Sequence, residues 1–295
     1  MTRRGWILFA AMGLLWGIPY LLIRIAVAHI TPASLVFLRT LIAAAVLLPL
    51  AAQRRELRPL LRAVPLLLAY AAIEIALPWF LLSDAERRLS SSLTGLLIAL
   101  VPIIGAVLSL FFQPEDRLDA RRVAGLALGI AGVAALVGVD ISARDLGAVA
   151  EIVLVTVCYA VGPLIIALRL ANLPRMGVVA ASLAVTAVVY APVGLLQLRG
   201  RVPPTDVVAA VVILGILCSA VAFLVFFALI EEVGPARSTV ITYLNPAVAV
   251  VLGMLVLHER FDLGTLAGFV LILSGSFLAT RRAAPREPAP AAATP

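Results

Sequence analysis

The chain contains no lysine, only two cysteines and two histidines, and its charged residues make up 13% of 295. Each scarcity removes a class of function. Without lysine there is no GxxxxGK[ST] phosphate loop, and direct drive by ATP is not expected. The cysteines, Cys158 and Cys218, each lie inside an apolar segment, so neither a disulfide framework nor a CxxC metal site is on offer. His29 and His258 lack metal-ligand spacing to each other or to cysteine. No HExxH, no GxSxG and no paired-aspartate helix motif occurs, and these are the groups an embedded enzyme acting on lipid or prenyl substrates would need. An enzyme is therefore not expected, nor any metal or cofactor.

What fills the chain instead is hydrocarbon. Hydrophobic residues make up 63%, and the mean hydropathy is +1.13. Soluble domains carry roughly twice this share of charge, so the composition reads as an integral membrane protein with the lipid bilayer as a partner. A net charge of +7 would suggest nucleic acid in a soluble chain. Here the arginines sit between apolar runs, where they act as topology signals, and nucleic-acid binding is not expected. The opening MTRRGWILFAAMGLLWG stays apolar as far as Val27, too long for a signal-peptide core, and reads as a retained first transmembrane helix.

A spanning helix needs about 20 mainly apolar residues. Ten such runs divide the chain: 6–27, 33–52, 63–82, 91–112, 122–139, 147–168, 177–198, 207–230, 236–257 and 263–280. The links between them are short and carry helix punctuation such as Thr31-Pro32, Pro174 and Gly234-Pro235. Placing the N-terminus in the cytoplasm puts fifteen arginines inside and six outside, with Arg24 and Arg39 within helices. That is a positive-inside bias, and both termini are expected in the cytoplasm.

Two stretches nearly repeat. EDRLDARRVAGLALGIAG from Glu115 and HERFDLGTLAGFVLILSG from His258 align Asp116 with Glu259, Arg117 with Arg260, Asp119 with Asp262, Gly125 with Gly268 and Gly132 with Gly275, each pair 143 residues apart. Five helices per copy is an odd number, so the second copy enters the membrane from the opposite side. The expected fold is an all-α integral membrane protein of ten transmembrane helices arranged as two inverted five-helix repeats, 1–140 and 141–282, followed by a disordered cytoplasmic tail, 283–295. Inverted repeats are the architecture of alternating-access transporters, with the substrate near the midplane between the halves.

The residues also resemble a family. WGIPYLLIRIAVAHITPASLVFLRTLIAA, with Trp16-Gly17, Arg24 and Arg39, is similar to the first two helices of an EamA domain of the drug/metabolite transporter superfamily. LTGLLIALVPIIGAVLSLFFQPEDRLDARRVAGLALGIAGVAAL and STVITYLNPAVAVVLGMLVLHERFDLGTLAGFVLILSGSFL are similar to that domain's last two helices. In the second copy Cys158-Tyr159-Ala160 stands where the first has Trp16-Gly17, and no intramembrane arginine matches Arg39. The resemblance implies a transporter of small molecules in the cytoplasmic (inner) membrane of a bacterium, an exporter of small metabolites or drugs coupled to protons or running down the substrate's own gradient. Importers and lipid-linked sugar translocators share the family.

The candidate substrate-contacting residues are Trp16, Tyr20, Arg39, Glu74, Trp79, Tyr159, Tyr243 and Asn245. An ionisable side chain inside hydrocarbon costs on the order of 2.5 to 3.5 kcal/mol and is retained for function by default. Glu74 lies about 13 Å from one end of its helix and Arg39 about 9 Å from the same face, so a Glu74–Arg39 pair is geometrically open, as substrate site or as structural pair. Arg24, nearer a helix end, fits a topological anchor. Trp16, Tyr20, Trp79, Tyr159 and Tyr243 lie within spans, where ring N–H and O–H groups want a partner that a cavity can supply. Asn245 precedes Pro246, which frees a backbone carbonyl. Gly125xxxGly129 and Gly264xxxGly268 are close-approach spacings, within one monomer or between two copies of a homodimer. The acidic loops at Glu115-Asp116 and Glu259 fit helix caps.

Overall fold

The structure is a computed structural model that describes residues 2–112, 120–140, 145–198, 200, 202–234, 238–260 and 262–280. The tail 283–295 and the Glu115-Asp116 loop lie outside these residues. Every regular element among the described residues is helical. Seven stretches are long and apolar enough to cross a membrane: α1 (Arg3–Val27), α2 (Pro32–Gln53), α3 (Val64–Ala85), α4 (Ser91–Leu108), α6 (Leu146–Arg169), α7 (Arg175–Leu198) and α8 (Thr205–Val233). Three further helices are described, α5 (Ala120–Asp140), α9 (Ile241–Val256) and α10 (Leu263–Thr280), whose apolar stretches are shorter. The chain is a multi-pass helical membrane protein.

The helix starts follow from capping. Thr2, Thr31 and Ser90 each accept the amide three residues on with a side-chain oxygen, from Gly5, Ser34 and Leu93, satisfying N–H groups that a helix start leaves without a partner. Several caps come from elsewhere in the chain. Glu259 accepts the Ser91 and Ser92 amides at 2.8 and 2.9 Å, so this loop carboxylate caps α4. Glu56 accepts the Gly177 amide at 2.9 Å at the start of α7. Asp262 accepts the Thr265 amide at 2.7 Å at the start of α10, a bond that holds its carboxyl below the usual aspartate range.

Several spans are interrupted. α1 breaks between Gly17 and Pro19, where proline has no amide to give and its ring crowds the preceding turn. α4 breaks at Ala99 and Leu100 ahead of Pro102, and Ser276 of α10 donates to the Ala99 carbonyl at 2.8 Å. α3 widens to a π-helix over Ala71–Ala76, just before Pro78, and α8 does the same over Ile216–Val221. Such π-turns concentrate at functional sites.

Packing pairs each helix with a distant one. Among the extensive associations are α5 with α10, α2 with α7, α4 with α9, α3 with α6 and α1 with α8. The α5–α10 seam is glycine-lined: a Cβ at Gly125 would fall 2.6 Å from the Ala279 amide nitrogen and 2.7 Å from the Gly275 carbonyl oxygen. Backbones in this contact touch directly, which places Gly125 and Gly268 in an interface inside the monomer.

Candidate functional site

Arg39 is the buried cation of the bundle, 6% exposed. Two elements hold it. Its Nε donates to Ser219 Oγ of the α8 π-segment at 2.9 Å, and its guanidinium carbon lies 3.7 Å from the ring centroid of Trp79 on α3. Ser219 is oriented for this, because its hydroxyl donates to the Leu214 carbonyl five residues back at 2.8 Å. A desolvated cation over an indole face gains about 2 kcal/mol, which offsets part of the burial cost. A guanidinium carries five N–H donors, and among the described residues Ser219 is its one hydrogen-bond acceptor.

Tyr20 and Tyr159 close the group. Tyr20, buried on α1 with its ring against Gly95 of α4, is an electrostatic neighbour of Arg39 and of Tyr159. Tyr159 of α6 is a side-chain neighbour of Trp79 and feels both Arg39 and Glu74. Arg39, Trp79, Tyr159 and Tyr20 thus come from four helices, and α8 adds Ser219. A guanidinium beside an indole, with two phenols as electrostatic neighbours, has the chemistry to bind a small amphipathic molecule with an anionic group.

Glu74 does not pair with Arg39. It sits in the α3 π-segment, and its Oε2 is buried with no hydrogen-bond partner. A Cβ built on Gly162 would fall 1.7 Å from that oxygen, so the glycine of α6 forms the niche the carboxyl occupies. Arg39 took Ser219 and Trp79 instead, partners contributed by other helices that no spacing along α2 or α3 reveals. Gly162 went unnoticed in the sequence although it precedes Pro163, the feature that could have drawn attention to it. Tyr190, which sequence position leaves at a span end or against lipid, donates to the Ala76 carbonyl at 3.1 Å and stacks on Phe80. It thereby meets a carbonyl in the widened turn of α3.

The remaining candidates make other contacts. Trp16 packs against Phe223 and Phe226 of α8, with ring centroids 6.0 and 4.7 Å away. Asn245 is buried beside the α1 break, its carbonyl 3.2 Å from where a Gly17 Cβ would be, and its Oδ1 has no partner. Tyr243 lies one turn away in a 3₁₀ segment, Thr239–Tyr243. Arg24 does not simply reach for the interface; its Nη1 donates to the Glu86 carbonyl at the end of α3. Glu86 was missed altogether, since its position in the α3–α4 link gave no sign that it would be buried. An apolar groove of about 350 Å³ between α2 and α7, lined by residues including Phe37, Leu41, Ala184 and Val188, contains no titratable group and is separate from this cluster.

Comparison with known proteins bears on both fold and role. A model of the EamA-like transporter family matches residues 3–138 and again residues 147–281. An uncharacterized transporter of Archaeoglobus fulgidus is 22% identical over 95% of this chain and 99% of its own length. A protein of Streptantibioticus cattleyicolor named a probable terminal-alkyne amino-acid exporter is 26% identical over 90% of each chain. The uncharacterized inner membrane transporter YedA of Escherichia coli is 28% identical over 82% of this chain and 79% of its own. A solved crystal structure shares the fold with a TM-score of 0.68 at 22% identity, covering 95% of this chain and 97% of that one.

Proposed function

Because the chain belongs to the EamA-like transporter family, we propose that it is a secondary transporter of the cytoplasmic membrane that exports amino acids, related small metabolites or drugs by alternating access. The observation that carries the substrate class is Arg39: a buried guanidinium with Ser219 as its one acceptor among the described residues and an indole beside it. A carboxylate is the group that such a fork of donors matches best. The name of the Streptantibioticus cattleyicolor relative, an amino-acid exporter, agrees with that class.

Alternating access requires two halves that rock about a common site. Supporting it is the pairing pattern of the helices. A shift of five helices exchanges α1 with α6, α2 with α7, α3 with α8, α4 with α9 and α5 with α10. Three observed pairs, α2–α7, α4–α9 and α5–α10, map onto themselves, and α1–α8 maps onto α3–α6. A two-fold axis between inverted halves would produce this pattern, and the two segments matched by the family model agree with it. The arginine distribution favours both termini in the cytoplasm.

Glu74 serves as the proton carrier in this reading. The Glu74 carboxyl sits in the niche left by Gly162 with Oε2 buried and without a donor, and rocking that admits water changes that environment, which couples proton movement to conformation. The test is efflux from proteoliposomes with pH set separately on each face. Glu74→Gln retains substrate binding and loses the response to the gradient; an unchanged response leaves Glu74 without a coupling role.

A further inference from the structure

A second buried acid lies beside this cluster, with Tyr20 and Arg39 among its neighbours. Glu86 follows α3 and is 0% exposed, and both of its carboxyl oxygens are buried without a hydrogen-bond partner. It stands where three elements meet. Arg24 of α1 donates to its backbone carbonyl, Glu259 from the α9–α10 link is an electrostatic neighbour, and Ser91 of α4 points a second buried, unpartnered oxygen into the same end of the bundle. Glu259 fastens that end by gripping the amides of Ser91 and Ser92. Its Oε2 and the Ser91 and Ser92 hydroxyls converge on Gly253, where a Cβ would lie 2.3, 3.0 and 2.4 Å from them.

We propose that Glu86 is a proton-binding site at this end of the bundle, and that release of its proton opens the seam held by Arg24, Glu259, Ser91 and Ser92.

The charged and titratable groups facing Glu86 are Arg24 and Tyr20 of α1, Arg39 of α2 and Glu259. The arginines favour the anion and Glu259 opposes it, but burial outweighs both and pushes the Glu86 carboxyl well above the usual carboxylate range. A metal cation fits the place poorly: Glu259 already spends its oxygens on three donors, and Arg24 supplies a competing positive charge. The sign follows from the raised value. The closed end is fully favoured below the ordinary glutamate range and loses that advantage as pH rises towards the raised value, where the carboxylic O–H breaks and the proton passes to water. By the arginine distribution this end faces outward, so the proton exchanges with the external medium.

The site is separable from Glu74 and from transport itself, so its test uses no substrate. Leu89, buried at this end, is replaced by cysteine in a chain carrying Cys158→Ala and Cys218→Ala. Maleimide labelling of the detergent-purified protein is followed from pH 5 to 9, each rate divided by that of denatured protein at the same pH. The ratio should rise at least tenfold with pH, stay low throughout in Glu86→Gln and keep its rise in Glu74→Gln. A ratio independent of pH in the parent chain, or the same rise in Glu86→Gln, overturns the proposal. So does a shift on replacing choline with sodium at fixed pH, which would mean a metal ion in place of the proton. Infrared difference spectra of the unlabelled protein check the proton directly. A carboxylic-acid carbonyl band present in wild type and diminished in Glu86→Gln supports it, and identical spectra contradict it.

Discussion

The two π-helical segments, Ala71–Ala76 in α3 and Ile216–Val221 in α8, use the same backbone device to opposite ends. Each is six residues long and the two lie 145 positions apart, so Glu74 and Ser219 both occupy the fourth place. Ser219 is fully engaged, taking Arg39 on one side and giving its proton to Leu214 on the other. Glu74 faces a glycine niche and leaves Oε2 without a partner. A widened turn in each half offers a polar group to the interior. One half uses it to fix a cation and the other holds an acid in reserve. The two widened turns thus stand differently towards Arg39: Ser219 holds it, and Glu74 faces Gly162 instead.

Removing the cation should produce the largest effect. Arg39→Ala leaves Ser219 and Trp79 without the charge they position and deprives a carboxylate of its donors, each such charged bond being worth about 1.5 to 3 kcal/mol. Transport of carboxylate substrates is expected to fall on the order of 10- to 100-fold, with folded protein retained in the membrane, measured as initial efflux from proteoliposomes. Loss of folded protein instead would make Arg39 a packing element.

Filling the glycine niche should come next. In Gly162→Ala the new methyl overlaps the Glu74 carboxyl and expels it, at a cost of about 1 to 3 kcal/mol in stability for an overpacked site. The pH-gradient response should disappear as it does in Glu74→Gln, even though the acid is still present. An intact response with a lowered melting temperature would show that the niche matters for packing alone.

The smallest change is expected from Ser219→Ala. It removes the one acceptor of Arg39 Nε but keeps the cation and the indole, so transport should drop by about tenfold or less, in line with roughly 1 kcal/mol for a hydrogen bond. Its response to the pH gradient should remain. Loss of that response would break the division of labour between the two segments.

Much of this was legible in the sequence because membrane burial leaves a coarse signal. The apolar runs, the prolines that interrupt α1, α3 and α4, and the glycines of the α5–α10 seam are all local features, and Glu259 could be read as a helix cap. Which helix it caps could not. Arg39 meets a serine 180 residues away, and Glu86 is covered by α1, α4 and the α9–α10 link, so neither environment has a local correlate. The Glu74–Arg39 pair that depth leaves open does not form, because depth along two helices does not fix rotation about their axes, which packing sets. Trp16 meets α8 aromatics and Asn245 lies beside the α1 break, neighbours on other helices that no local pattern names.

Recognition of a carboxylate by Arg39 and its aromatic neighbours can be read from counterflow in proteoliposomes loaded in turn with amino acids and with the amines that remain when their carboxylates are removed. The wild-type protein should exchange carboxylate-bearing compounds and leave the amines, and Arg39→Ala should lose that discrimination. Equal exchange of acid and amine by the wild type, or discrimination unchanged in Arg39→Ala, would contradict the account.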